Sequence, residues 1–394
     1  MKLSRRALMT TGALALTPGF ALAQPSARRT VLVTIFLRGG MDGLSLAVPH
    51  GDAAYYAARR STAIAKPGKP GGAIDLDGHF GLHPRLGALE PAYRAGELAV
   101  VHAVGSSHGT RSHFEAQDYA ETATPGVRST RTGWLARCLT DAGKPTSPLG
   151  VVALSDKRPL ALRGDVDVVT AKRLEAFRLR VPKRLGSRLG SAFRALYAEG
   201  DDSVIAAGRG ALEAERRLAA VEVRAADYPE GARPLADVVA LVRADAGLRV
   251  AWIDAGGWDT HQAQGGADSG RLARGFDALG KGLAAFRKDL GPDLERVVVL
   301  VMTEFGRTVA ENGTGGTDHG HGSAMLLWGG PVRGGKVHGQ WPGLSAAERF
   351  EGRDLAVTTD YRDVLAEVAE KHLGARDRAR VVPGHTPRAL GLLR

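Results

Sequence analysis

Apolar residues along this chain follow two rhythms. Thr30 to Leu37 (TVLVTIFL), Leu98 to Val104 (LAVVHAV), Gly247 to Ala255 (GLRVAWIDA), Val297 to Met302 and Met325 to Trp328 are short, nearly unbroken apolar runs. They lack the alternation of a half-exposed strand and read as strands buried on both faces of a sheet. Val151 to Leu154 and Leu160 to Leu162 are shorter strand candidates. Elsewhere apolar residues recur at a spacing of three and four, the helical period. That spacing predicts helices over His83 to Ala95, Gly133 to Ala142 and Ser269 to Leu290, and a last one from Thr359-Asp360 to His372. Ser112, with Glu115 three residues on, has the pattern of a capping box opening another helix. From about Ala171 to Ala246, Ala, Arg, Leu and Glu dominate at helical spacing, and this stretch reads as a helical insertion. Strands alternating with helices imply right-handed βαβ units and a mostly parallel sheet, within a single domain over residues 24–394.

The first residues set a different expectation. Arg5-Arg6, a mildly apolar stretch and Ala21-Leu22-Ala23 occur in the order of a twin-arginine export signal with its cleavage site. Residues 1–23 are therefore read as a signal peptide, with the mature chain starting near Gln24. The expected partner is the twin-arginine export machinery and the expected location the periplasm or outside. Interrupted by Thr17-Pro18, the stretch is too short for a stable membrane anchor. Cys138 is the only cysteine, so no internal disulfide can form and the core must carry stability. Net charge is +11, or +8 once Lys2, Arg5 and Arg6 leave with the signal. A basic surface suits anionic small molecules or polymers, but no basic-aromatic interleaving points to nucleic acid.

The strand ends carry the chemistry. The first strand runs into Asp42, and the Leu98 strand into Ser106, Ser107, His108, Arg111, Ser112 and His113. The Gly247 strand runs into Asp259-Thr260-His261, and the Val297 strand into Glu304 and then Asp318, His319 and His321. In a parallel sheet such ends share one edge, where open α/β folds place their ligands. Mixed carboxylates and imidazoles suit a divalent ion (Zn, Mn, Mg or Ca). Ser112 at a helix start suits an alkoxide nucleophile beside an anion. Other readings stay open: Asp42 as a turn residue, Ser112 as a cap only, Glu304 paired with Arg307. Gly105-Ser106-Ser107-His108-Gly109 also matches the G-x-S-x-G of a serine hydrolase, with Ser107 as nucleophile.

In order, LRGGMDGLSLAVP, RSHFEAQDY, GGWDTH, MTEFGRT and GTDHGHG resemble the exported bacterial proteins of domain-of-unknown-function family 1501. That family is similar to the alkaline phosphatase/sulfatase superfamily. The resemblance implies a three-layer α/β/α sandwich with metal ligands and a nucleophile at the strand ends. By that resemblance Ser112 is the nucleophile, and Asp42, Asp259, His261, Glu304 and His319 or His321 are the metal ligands; Asp318-His319 could complete them. Two departures matter. The superfamily's Asp-x-x-x-His is here Asp259-Thr260-His261, and its Asp-His is here Glu304-Phe305, whose phenylalanine cannot bind metal. The sequence-level expectation is metal-assisted hydrolysis of a phosphate or sulfate ester, with Arg111 holding substrate oxygens. A non-catalytic binding protein on the same fold is the alternative.

Overall fold

Both rhythms resolve into layers. The computed structural model describes residues 29–177, 186–200 and 202–394; the expected signal peptide lies outside the described residues. The central strands, in chain order, are β1 (Val31–Leu37), β2 (Leu98–Gly105), β3 (Val151–Leu154), β4 (Val169–Thr170), β5 (Val250–Ala255), β6 (Val297–Met302), β7 (Ser323–Trp328), β8 (Lys336–His338) and β9 (Thr359–Asp360). They form one nine-stranded sheet in the order β8-β2-β7-β6-β1-β5-β3-β4, with β9 also paired to β2. Every pairing is parallel except those of β7, which runs antiparallel between β2 and β6.

Successive side chains of a strand point to opposite faces. In β1, Val31, Val33, Ile35 and Leu37 enter one apolar layer, while Leu32 and Phe36 enter the other. The longer helices are α1 (His113–Thr122), α2 (Trp134–Ala142), α3 (Gly186–Leu196), α4 (Ser203–Leu218), α5 (Pro234–Arg243), α6 (Arg271–Leu290) and α7 (Tyr361–Lys371). Leu235 and Leu241 of α5, with Phe276 and Leu283 of α6, fill the first layer. Trp134 and Leu139 of α2, with Val364 and Val368 of α7, fill the second. This is a three-layer α/β/α arrangement. Among the described residues no helix is long and apolar enough to cross a membrane.

Some elements differ from their expectation for local reasons. Leu160–Leu162 is a 3-10 turn, not a strand. Arg158 donates to the carbonyls of Leu162, Gly164 and Val166, which a neighbouring strand would otherwise meet. The single helix expected over His83 to Ala95 is a 3-10 turn, Pro84–Leu89, followed by a short helix, Glu90–Arg94. Pro91 falls in that helix's first turn, where its missing N–H costs nothing. Of the helices between Ala171 and Ala246, α5 belongs to the layer against the sheet.

The one antiparallel strand matters for the site. The parallel strands end at one edge, and β7 begins there. The loop Asp318 to His321 that feeds β7 therefore meets the ends of β1, β2, β5 and β6.

Candidate metal centre

At that edge the loop after β1 is knitted to the end of β6. Thr303 donates its hydroxyl to the Leu37 carbonyl at 2.7 Å and accepts the Met41 N–H at 3.0 Å. Gly39 donates its N–H to Glu304 Oε1 at 2.9 Å. Only glycine fits at position 39: φ is +124°, and an added Cβ would lie 2.4 Å from the Asp259 backbone nitrogen. This close approach brings the loop carrying Asp259 and His261 over the ends of β1 and β6.

Three histidines then present one nitrogen each. His113 Nδ1 lies 2.7 Å from Glu304 Oε1, His319 Nδ1 2.8 Å from the Arg111 carbonyl, and His261 Nδ1 2.9 Å from Asp318 Oδ1. A carbonyl cannot donate, and both carboxyls are held below their usual range. Burial raises Glu304, but hydrogen bonds from His113, Gln117 and the backbone outweigh it. For Asp318 the hydrogen bond from His261 leads. Each Nδ1 therefore carries a proton, and a neutral ring then keeps its lone pair on Nε2. The Nε2 atoms of His261 and His319 face each other at 2.9 Å, and those lone pairs repel unless a proton or a cation stands between them. Asp259 completes the set, with Oδ1 3.1 Å from His261 Nε2 and 3.5 Å from His319 Nε2, and Oδ2 3.6 Å from His113 Nε2.

These donors fit a metal ion. Ligand atoms of His113, Asp259 and His319 all lie within 4.8 Å of one another, and His261 adjoins them. His113 Nε2 is buried without a hydrogen-bond partner, an expensive state for a polar atom unless something binds it. Two ligands each about 2.0–2.1 Å from one tetrahedral ion are roughly 3.3 Å apart, and the separations of His261 from His319 and of Asp259 from each imidazole run from 2.9 to 3.6 Å. Carboxylate or carbonyl partners on every Nδ1 are the outer supports that metal-binding imidazoles use. Arg307, fully buried, donates to Asp259 Oδ1 at 2.5 Å and to the carbonyls of Gly40, Thr317 and Trp258. Burial raises the Asp259 carboxyl, but Arg307 and the neighbouring imidazoles bring it below its usual range. Phe305 forms a wall, its ring 4.8 Å from His113 and 5.0 Å from His319.

The strand-end residues thus divide. Asp259, His261 and His319 come together. Glu304 and Asp318 stand behind them as supports for His113 and His261; Glu304 does not pair with Arg307, which serves Asp259 instead. Asp42 is placed apart: both its oxygens are taken by Arg59, with Ser45 and Gln264 on Oδ2, all buried. His321 also lies away from the cluster, stacked on Phe350 at 4.2 Å, and burial lowers its pKa to about 4. The turn at Gly320 is pressed against the Arg307 backbone, where a Cβ would meet the Arg307 carbonyl carbon at 2.4 Å, and His319 and His321 serve different surroundings. The Arg111 guanidinium is engaged by Asp354 and Glu351, and it is the Arg111 carbonyl that serves the site. Ser112 is the N-cap residue of α1, but its hydroxyl makes no cap bond. Glu115 takes the Thr110 hydroxyl at 2.6 Å, so the capping box does not close. Ser107 is exposed and its hydroxyl accepts from Arg362 at 3.1 Å, while α1 starts only at His113. That is neither the imidazole partner nor the tight turn a nucleophile elbow requires.

His113 is the candidate ligand that sequence reading left out of the set. Its signal was its place, directly after Ser112 at a helix start that follows a buried strand.

Several solved structures are similar to this chain at low identity. The C-terminal periplasmic domain of EptC from Escherichia coli, in complex with Zn, is 10% identical, covering 77% of this chain and 73% of its own, with a TM-score of 0.39. A protein in the alkaline phosphatase superfamily from Vibrio parahaemolyticus is 10% identical over 90% of this chain and 69% of its own, at 0.38. Alkaline phosphatase from the Antarctic bacterium TAB5 is 10% identical over 77% and 93%, at 0.32. At such scores the likeness is loose, and the chemistry rests on the site itself. No curated protein matches by sequence. Residues 99–384 match the model of the family described as Protein of unknown function (DUF1501), and the chain belongs to that family.

Proposed function

We propose that this protein is a metal-dependent hydrolase of phosphate or sulfate esters, acting on an anionic small molecule or polymer after export through the twin-arginine pathway. One observation carries the reading: the His113 and His319 imidazoles and the Asp259 carboxylate converge, His261 Nε2 adjoins His319 and Asp259, and every Nδ1 is anchored by an acceptor. His113, His261, His319 and Asp259 would hold the ion. Three imidazoles and one carboxylate favour Zn over Mn, Mg and Ca, which suit oxygen ligands. Bound there, the ion would supply Lewis acidity toward a phosphoryl or sulfuryl oxygen.

The rest falls to the chain's own residues. Ser112 sits between Arg111, whose carbonyl orients His319, and His113. Its hydroxyl does not cap α1, and the N–H groups of that helix's first turn can hold substrate oxygens. Attack by Ser112 Oγ on phosphorus or sulfur forms a serine ester as the bond to the alcohol breaks. The hydroxyl proton passes through solvent to the departing alcohol. Water then cleaves the serine ester, releasing phosphate or sulfate and restoring the hydroxyl.

The test is turnover of p-nitrophenyl phosphate and p-nitrophenyl sulfate by purified protein and by Ser112→Ala. Ser112→Ala is expected to lower kcat by about three orders of magnitude or more, the scale of losing a nucleophile, with its metal content unchanged. Turnover indifferent to both chelation and Ser112→Ala would overturn the mechanism.

A further inference from the structure

We infer that Gln264 is a positioning residue for the metal centre, the hub through which the buried Asp42–Arg59 pair sets the two loops that carry the ligands. This rests on the metal reading above. Gln264 has no exposed surface. Its amide nitrogen donates to Asp42 Oδ2 at 2.8 Å, and its amide oxygen accepts the hydroxyls of Thr260 at 2.9 Å and Thr317 at 2.6 Å. A carboxylate accepts only, so the NH₂ end must face Asp42 and the oxygen must face the threonines. Thr260 lies between Asp259 and His261, and Thr317 directly precedes Asp318-His319. One side chain therefore fixes the spacing between both ligand-bearing loops.

The anchor behind it is rigid. Arg59 holds Asp42 with two hydrogen bonds, at 2.5 and 3.0 Å. The same guanidinium donates to the carbonyls of Val309 at 2.9 Å and Thr308 at 3.0 Å. Thr308 in turn donates its N–H to the Asp318 carbonyl at 3.0 Å and its hydroxyl accepts the Asp318 N–H at 3.1 Å. Asp42, Arg59, Gln264, Thr260 and Thr317 are all buried, so this network makes its bonds away from solvent, where their geometry is most strictly set. The outer support of metal ligands typically governs affinity by 10–100-fold.

The experiment loads Co²⁺ into the wild type, Gln264→Met, Thr317→Val and Thr317→Ser. It follows the visible Co²⁺ absorption, Zn²⁺ affinity by competition and thermal unfolding. Gln264→Met and Thr317→Val are expected to weaken Zn²⁺ binding by about 10–100-fold and to alter the Co²⁺ spectrum. Thr317→Ser, which keeps the hydroxyl, is expected to restore both. Wild-type affinity and spectrum in Gln264→Met and Thr317→Val, whatever their melting temperatures, would overturn the positioning role alone. A wild type that takes up neither ion would overturn the metal centre and this role with it.

Discussion

His113→Ala is expected to bind zinc at least about 100-fold more weakly than the wild type, more than the usual cost of losing an outer support, and to lose ester hydrolysis. The imidazole Nε2 is buried and has no other use: it makes no hydrogen bond, and its nearest carboxylate oxygen, on Asp259, is 3.6 Å away. Its other nitrogen is tied to Glu304, which also receives the Gly39 N–H and the Gln117 amide. Alanine therefore removes one donor and leaves Glu304 still held by Gly39 and Gln117. Glu304→Gln keeps the size of that support and is expected to weaken binding less than His113→Ala does. Isothermal titration with zinc distinguishes them. Equal affinity of His113→Ala and wild type would remove His113 from the centre.

Asp42→Asn is expected to destabilise the fold by about 3–5 kcal/mol, the scale of breaking a buried ion pair by removing one partner. Both side chains have no exposed surface. Burial alone would raise the Asp42 carboxyl, but the Arg59 guanidinium and the bonds from Ser45 and Gln264 hold it below its usual range. Asparagine keeps one acceptor oxygen but no charge, leaving the buried guanidinium un-neutralised beside the Val309 and Thr308 carbonyls and the Ser45 hydroxyl. Replacing both partners with apolar residues is expected to cost less than Asp42→Asn, because no charge is then stranded. Urea denaturation of the single and double variants measures both quantities. A loss below about 1 kcal/mol, the ceiling for an exposed pair, would show that Arg59 reaches solvent.

Much of the layout was legible because the governing signals are local. A run such as Val297 to Met302 has no polar residue to face water, so it can only be an interior strand, and the sheet edge where it ends follows from parallel pairing. The place of Asp259 and His261 at that edge was legible for the same reason, since they lie just beyond β5, and His319 lies just before β7. What was not legible depends on partners remote in sequence. Asp42 reads as a strand-end ligand until Arg59, 17 residues on, and Gln264, 222 residues on, are seen to occupy it. Nothing local separates His319 from His321; only the fold sets His319 Nε2 beside His261 and stacks His321 on Phe350. Glu304 was placed at the right edge with the wrong task, because only the fold brings His113 to it across 191 residues. Leu160 to Leu162 has strand composition, but it forms a turn whose Leu162 carbonyl accepts from Arg158.

X-ray absorption at the zinc K-edge, on zinc-loaded protein of measured metal content, tests the central claim most directly. The account predicts a single ion per chain with three imidazole nitrogens and one carboxylate oxygen in its inner shell, one imidazole fewer in His113→Ala. An oxygen-only shell, or a spectrum identical in wild type and His113→Ala, would contradict it.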